Sequence, residues 1–182
     1  AEAQAAGPRA QILARRLARV AGGAQTLEGI ARAGVELAEQ LADRGAALVL
    51  AGPLDGETRV LVVSRTADRR LTGLPLKPEA PAARAIAAGV PVVARGGDDV
   101  FGPGGPERRR SERAGTAYPL VDGHVVIGAL VVLGPPLDPD APLIEHVGTL
   151  VAELGPRLAA ARAVHDAELR AVVDPLTGLR NR

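Results

Sequence analysis

Two adjacent carboxylates in a glycine-rich segment are the residues best suited to bind a metal ion. Asp98 and Asp99 directly follow a Gly-Gly pair at 96–97, and turn-forming residues continue through position 106. Carboxylate oxygens are ligands that Mg²⁺ prefers, so one hypothesis is an enzyme that uses this Asp98/Asp99 loop. Long loops inside a compact domain are usually functional or mobile, and we expect such a loop over residues 95–113.

Arginines dominate the second half of the same loop. Arg108, Arg109 and Arg110 are consecutive, Arg113 follows, and glutamates at 107 and 112 partly neutralise them. A solvated surface loop is the simpler interpretation. An anion or nucleotide contact, or a docking site for a protein partner, is the alternative. The net charge of +1 gives no overall attraction for anionic partners.

Several other chemistries are excluded by residue type. The sequence contains no cysteine, which excludes disulfides, thiol catalysis and zinc sites of the cysteine type. We expect His124, at a turn, and His146 and His165, on the last helix, to be surface groups rather than haem or metal ligands. The chain is therefore predicted to hold no metal ion and no cofactor.

Composition also limits the partners. There is one Phe, one Tyr and no Trp, which disfavours recognition of nucleic acid by base stacking. The longest apolar run, residues 125–133, is far shorter than the roughly 20 residues that a membrane span needs. We expect a cytoplasmic protein that binds neither nucleic acid nor membrane.

Hydrophobic periodicity predicts the elements that position these groups. We predict helices over residues 8–20, about 26–43 and 80–88, and strands over 47–51, 58–65, 90–94, 116–121 and 125–133. Thr26 suits the start of the second helix, and Gly45 and Gly89 suit helix ends. Breakers at 52–56 and the Asp122-Gly123 pair predict two hairpins. The order predicts an α+β domain, an antiparallel sheet with helices packed on one face.

A long final helix carries an apolar stripe whose spacing is close to a heptad repeat. We expect this stripe to pair with a second copy of the chain in a homodimer. Pro156 lies inside the helix and lacks an N–H, so a kink or a break is predicted there. The stripe consists of Leu143, Val147, Leu150, Leu154, Leu158, Leu169 and Val172.

The last nine residues resemble the opening motif of the GGDEF family, the diguanylate cyclase domains. The family's fixed positions are met at Asp174, Leu176, Thr177, Gly178, Leu179, Asn181 and Arg182. The resemblance implies that a cyclase domain, with GTP and Mg²⁺ as its substrate and metal, begins here and that the chain is cut off at its start. In that family the catalytic signature follows this motif, so the similar-looking residues at 96–101 are interpreted as coincidence.

The preceding region resembles a GAF domain, a ligand-sensing module, over about residues 25–165. The resemblance is carried by Pro119-Leu120, Asp122-Gly123 and Gly128-Ala129-Leu130, followed by the long exit helix. It implies a pocket between the sheet and the variable segment before the last hairpin. The residues that would line this pocket by position are Arg95, Asp98, Phe101, Thr116 and Tyr118.

These resemblances imply four segments: an N-terminal helix at 1–24, a GAF-like domain at 25–142, an exit helix at 143–173 and the start of the GGDEF domain at 174–182. We expect a sensor and dimerisation module that controls a C-terminal diguanylate cyclase, the enzyme that makes cyclic di-GMP from GTP. A small-molecule ligand of unknown identity is a possible partner. The alternatives are a dimerisation module without ligand, a protein-binding module, or an enzyme that uses the Asp98/Asp99 loop.

Overall fold

The computed structural model describes residues 12, 15–17, 19, 26–52, 56–95 and 97–172. In the predicted first helix, residues 12, 15–17 and 19 are helical, and Leu17 is buried in the core. The terminal motif lies outside the described residues, so its resemblance to the GGDEF family stays a prediction. The residues concerned are Asp174, Leu176, Thr177, Gly178, Leu179, Asn181 and Arg182.

Within the described part of the chain, five antiparallel strands form one sheet in the order β2-β1-β5-β4-β3. The central strands β1 and β5 are almost entirely apolar, because side chains of both strands are buried on both faces of the sheet. The strands are β1 (Ala46–Leu50), β2 (Arg59–Val63), β3 (Val92–Ala94), β4 (Gly115–Asp122) and β5 (Val125–Leu133). The antiparallel sheet of an α+β fold is thereby confirmed.

Both predicted hairpins are present, and the second turn is one residue further along than expected. Asp122 pairs with Val125, so the two loop residues are Gly123 and His124 rather than Asp122 and Gly123. Gly123 has φ 59°, a left-handed conformation that costs a glycine little. The hydrogen-bonded register of the strands therefore places the turn.

Among the described residues, the helices that accompany the sheet include α1 (Leu27–Ala42), α2 (Pro81–Ala88), α3 (Arg110–Arg113) and α4 (Pro142–Val172). The Thr26 side chain accepts a hydrogen bond from the Gly29 N–H at 3.1 Å and caps α1 as predicted. Helix α1 ends earlier than its predicted stop, because Asp43 itself adopts the left-handed conformation with φ 52°. Helix α2 ends at Gly89 as predicted.

The sheet is covered on both faces. The two long helices, α1 and α4, pack on one face against side chains such as Leu48 and Leu130. The short helix α2 and the 95–113 loop pack on the other face, where Val49 and Ala129 are buried with Phe101. We call these the α4 face and the α2 face. The expectation of helices on one face therefore holds for the two long helices alone.

Helix α4 is continuous through Pro156, so the predicted break is wrong. Gly155 lets the helix approach β4 closely, because a Cβ atom there would lie 2.3 Å from the carbonyl oxygen of Val121.

The apolar stripe of α4 that was expected to pair with a second copy is largely used within the chain. Four of its residues are fully buried inside their own chain, where α4 packs against α1 and the sheet. These four are Val147, Leu150, Leu154 and Leu158.

Of the other stripe residues, Leu143 is half-buried and Leu169 is exposed, while the Val172 side chain lies outside the described residues. An amphipathic pattern is produced by an intrachain core as well as by an interface between chains. The exposed part of α4 begins after Ala161, which is the last buried residue among the helix side chains that the structure describes.

The outer edge of β2 is covered by the segment 73–76. The Val60 N–H donates to the Leu74 carbonyl at 2.9 Å, the Gly73 N–H donates to the Val60 carbonyl at 2.8 Å, and the Leu76 N–H donates to the Thr58 carbonyl at 2.7 Å. This segment acts as a short extra strand against the sheet. Within the described part of the chain, no helix combines the length and apolarity needed to cross a membrane.

Candidate functional site

The glycine-rich loop is anchored to its surroundings by backbone hydrogen bonds. The Ala82 N–H, at the start of α2, donates to the Val100 carbonyl at 2.9 Å, and the Val100 N–H donates to the Arg113 carbonyl at 2.8 Å. The Phe101 ring lies in the core of the α2 face. Val100, inside the loop, is thus fixed against helix α2 and against Arg113 at the end of the loop.

Inside the loop, Asp99 is bound by a buried cation. Both of its carboxylate oxygens accept hydrogen bonds from Arg108 Nη2, and Oδ1 also accepts from the Phe101 N–H at 2.9 Å. The Arg108 side chain is 1% exposed. Its Nη1 donates to the Glu112 carbonyl at 2.7 Å, and its guanidinium lies 5.1 Å from the centroid of the Phe101 ring, within the range of a cation–π contact.

This arrangement gives Asp99 a structural partner in place of the proposed metal ion. Asp98, by contrast, is exposed. Among the described residues, no group of three or more His, Cys, Asp or Glu side chains is placed to hold a metal ion. Asp98 and Asp99 therefore differ in role. An enzyme that used this loop to bind a metal ion would lack Asp99 as a ligand, because Asp99 is already bound to Arg108.

The five residues predicted to line one pocket do not come together. Arg95 and Asp98 are exposed, and Phe101 is buried on the α2 face. Thr116 and Tyr118 lie on the α4 face, because they are opposite Val132 and Leu130 in β5 while Ala117 between them belongs to the α2 face. Side chains alternate along a strand, and the sequence did not show which β4 residues face the loop.

Tyr118 is half-buried beside the start of α4. Burial raises the pKa of the Tyr118 phenol, and a hydrogen bond with the Thr116 side chain opposes this shift. The two residues thus form a small polar pair under α4 rather than part of a ligand pocket.

Within the described residues, at least three cavities border the α2 face, and one of about 420 Å³ is lined by Arg84, Asp98 and Asp99. Two others are larger. The first, which we call the arginine cavity, has a volume of about 460 Å³ and includes Arg44, Asp68, Arg70, Arg108, Ser111 and Glu112 among its lining residues. The second, the apolar groove, has a volume of about 830 Å³ and includes Leu74, Pro75, Leu76, Lys77, Ala83 and Ile86. Both volumes are in the range of small-molecule sites.

Of the residues predicted to line a pocket, neither of these two cavities contains one, whereas Asp98 lines the smaller cavity beside α2. Each cavity is assembled from segments that are distant in sequence, so no local motif could have identified it. The run of arginines was the one available signal, since Arg108 belongs to it and lines the arginine cavity.

The fold resembles that of several solved structures. The GAF domain of an Acinetobacter phosphoenolpyruvate-protein phosphotransferase is 16% identical and matches with a TM-score of 0.67, covering 85% of this chain and 95% of that one. The corresponding domain from Coxiella burnetii is 17% identical with a TM-score of 0.64, covering 87% and 97%. A putative GAF sensor protein from Burkholderia vietnamiensis is 15% identical with a TM-score of 0.59, covering 87% and 94%.

No family model and no curated protein matches the sequence. At these identities the structural likeness establishes the fold alone. The expectation drawn from Pro119-Leu120, Asp122-Gly123 and Gly128-Ala129-Leu130 is confirmed at that level: the chain has the GAF fold.

Proposed function

We propose that the chain is a sensory and regulatory module that transmits a change in its domain through α4. The proposal rests on one observation, which is that the two parts of α4 differ in burial. One side of its first part, through Ala161, is buried in the α4 face, whereas residues 163–165 and 167–170 are exposed. A displacement of the sheet or of α1 would therefore move the whole length of a rigid helix.

A single residue marks the boundary between the two parts of α4. Arg162 is partly buried, and its Nη1 donates to the Ala51 carbonyl at 2.8 Å, just after β1. The same arginine lies 3.8 Å from Asp166 one turn further along. This contact ties the end of a central strand to the point where α4 leaves the domain, which suits a transmitting role.

We further propose a diguanylate cyclase as the output domain. The support is the terminal motif, residues 174–182, whose resemblance to the GGDEF opening lies just beyond α4 in sequence. Making cyclic di-GMP joins two GTP molecules held by two facing cyclase domains, so a dimer is required. GTP and Mg²⁺ would belong to that output domain. The exposed end of α4, with Val164 and Leu169, is the surface we propose for pairing.

Insertions that change the helical phase of α4 test this proposal. The full chain is fused ahead of a GGDEF domain, and either one residue or seven residues are inserted after Leu169. One residue rotates everything that follows by about 100°, whereas seven residues nearly restore the original phase. We expect cyclic di-GMP synthesis to fall sharply with the single insertion and to recover with the longer one.

Equal synthesis by both insertion variants, or none from the uninterrupted fusion, would contradict the proposal. The chain without a fused domain is the control and should not turn over GTP with Mg²⁺.

A protein-binding module remains the second candidate, because Arg109, Arg110 and Arg113 are exposed while Arg108 is buried. Replacing Arg109 and Arg110 by Glu tests it. If this module docks an acidic partner, the doubly substituted chain loses that partner in a pull-down, while Arg32→Glu, an exposed arginine on α1, keeps it.

A further inference from the structure

Arg108, which lines the arginine cavity, has a buried donor without an acceptor. Arg108 uses Nη1 on the Glu112 carbonyl and Nη2 on Asp99. Among the described residues, Arg108 Nε is the buried side-chain nitrogen or oxygen that has no hydrogen-bond partner. Leaving such a group unpaired is unfavourable, and more so when the group is charged. Buried polar groups in proteins are nearly always paired, so this one requires an explanation.

The acidic residues of the cavity already have donors. Asp68 accepts hydrogen bonds from the Arg70 N–H at 2.9 Å and from its Nε and Nη2, and these bonds hold the pKa of Asp68 below its usual value. The Glu112 carboxylate accepts from the Arg109 N–H at 3.1 Å. Both negative charges are therefore bound to groups of the protein itself.

Two further guanidinium groups line the cavity. Arg44 donates from Nη1 to the Pro135 carbonyl at 2.6 Å, and Arg70 donates from Nη2 to the Glu107 carbonyl at 3.2 Å. A guanidinium carries five N–H donors in a planar fork, which suits bidentate recognition of carboxylate and phosphate. The exposed hydroxyl of Ser111 adds another donor.

We propose that the arginine cavity binds a small molecule through an oxyanion group, a carboxylate or a phosphate. Arg108 is the buried anchor, with Arg44 and Arg70 at the rim. Charge-assisted hydrogen bonds from guanidinium to an oxyanion are about twice as strong as neutral ones. The inference rests on the sensory role proposed above and deepens it, because it names the chemical class of the ligand.

Nuclear magnetic resonance tests the proposal directly, because arginine Nε–H groups give their own ¹H–¹⁵N signals. The chain is titrated with inorganic phosphate and, separately, with acetate, while chloride keeps the ionic strength constant. We expect the Arg108 Nε–H signal to shift and saturate with at least one of the two anions. The anion that binds more tightly identifies whether the natural group is a phosphate or a carboxylate.

Substitutions at the rim localise the binding. Arg44→Gln and Arg70→Gln should each raise the Kd of the better anion by about tenfold, the loss expected for one charge-assisted hydrogen bond. The matched control is Arg109→Gln, since Arg109 is exposed and directly follows Arg108. That variant should leave the Kd unchanged, because its side chain does not line the cavity.

Two outcomes would overturn the proposal: an Arg108 signal that does not move with either anion, or an Arg109→Gln variant that weakens binding as much as Arg70→Gln. The helix-phase experiment is independent of this cavity. If anion binding fails while the insertions still control the fused cyclase, the ligand class is wrong and the output stands. If anions bind but the insertions have no effect, the cavity stands and the proposed output is wrong.

Discussion

At the scale of single residues, the buried ion pair between Arg108 and Asp99 predicts that the neighbours Asp98 and Asp99 contribute unequally to the free energy of unfolding. Asp99→Asn removes the charge that faces a guanidinium 1% exposed to solvent. Breaking a buried pair from one side costs about 3–5 kcal/mol, because the other charge stays buried. We expect a loss of this size in the free energy of unfolding, measured by urea denaturation.

Asp98→Asn is the matched control, since it makes the same chemical change one residue earlier at an exposed position. Its effect should stay within about 0.5 kcal/mol. If the two variants unfolded at the same urea concentration, the ion pair would not stabilise the folded loop.

Tyr118 predicts a change of stability with pH. Its pKa is raised above the ordinary value of 10.0 in the folded chain, so the folded state keeps the phenolic proton to higher pH than the unfolded state does. The stability linked to this group is fully present below the ordinary pKa and is lost as pH rises through the folded pKa.

Thermal unfolding checks this prediction. Tyr118→Phe lacks the ionisable group, so its Tm should fall less than that of the parent chain between about pH 9 and about pH 11. Parallel curves for the two proteins over that range would show that the folded pKa is not raised.

At the scale of elements, two glycines of α4 test how closely the helix packs on β4. A Cβ atom at Gly155 would lie 2.3 Å from the Val121 carbonyl oxygen, whereas one at Gly148 meets nothing within 4 Å. Gly155→Ala should lower the free energy of unfolding, because overpacking costs about 1–3 kcal/mol and exceeds the helix propensity gained.

Gly148→Ala is the matched control in the same helix. It should raise the free energy of unfolding by up to about 1 kcal/mol, the propensity difference between glycine and alanine. Urea denaturation of both variants decides the matter. A stabilising Gly155→Ala would mean that α4 lies farther from β4 than the contact indicates.

The elements themselves were largely predictable from the sequence, because their apolar periodicity and their glycine and threonine ends are local signals. The partner of α4 was not, since a stripe that includes Leu150 and Leu154 shows only that one face is buried and not what covers it. The site was less predictable still. Arg108 lies in a run of arginines typical of a solvated loop, and its burial depends on Asp99, which folding brings into contact with it.

At the scale of the whole molecule, the exposed end of α4 predicts how the chain associates. Leu169 is 55% exposed, and it belongs to the stripe expected to pair with a second copy. We expect the chain to sediment as a dimer and Leu169→Glu to shift it toward the monomer, because a charge would be buried in the seam.

Val125→Glu is the control, since Val125 is 62% exposed but lies beside the β4–β5 turn. It should leave the sedimentation coefficient unchanged. A parent chain that sediments as a monomer at high concentration would contradict pairing through α4.

The covering of the sheet edges has a consequence for aggregation. An uncovered edge strand offers its N–H and C=O groups to strands of other molecules, and Val-rich segments such as β2 are prone to that pairing. Here the segment 73–76 occupies the edge of β2, and Pro75, which is bridged to Arg59, has no N–H to offer a further strand. At the opposite edge, β3 is only three residues long and follows Pro91. The two prolines thus protect a valine-rich sheet from growing, strand by strand, into a fibril.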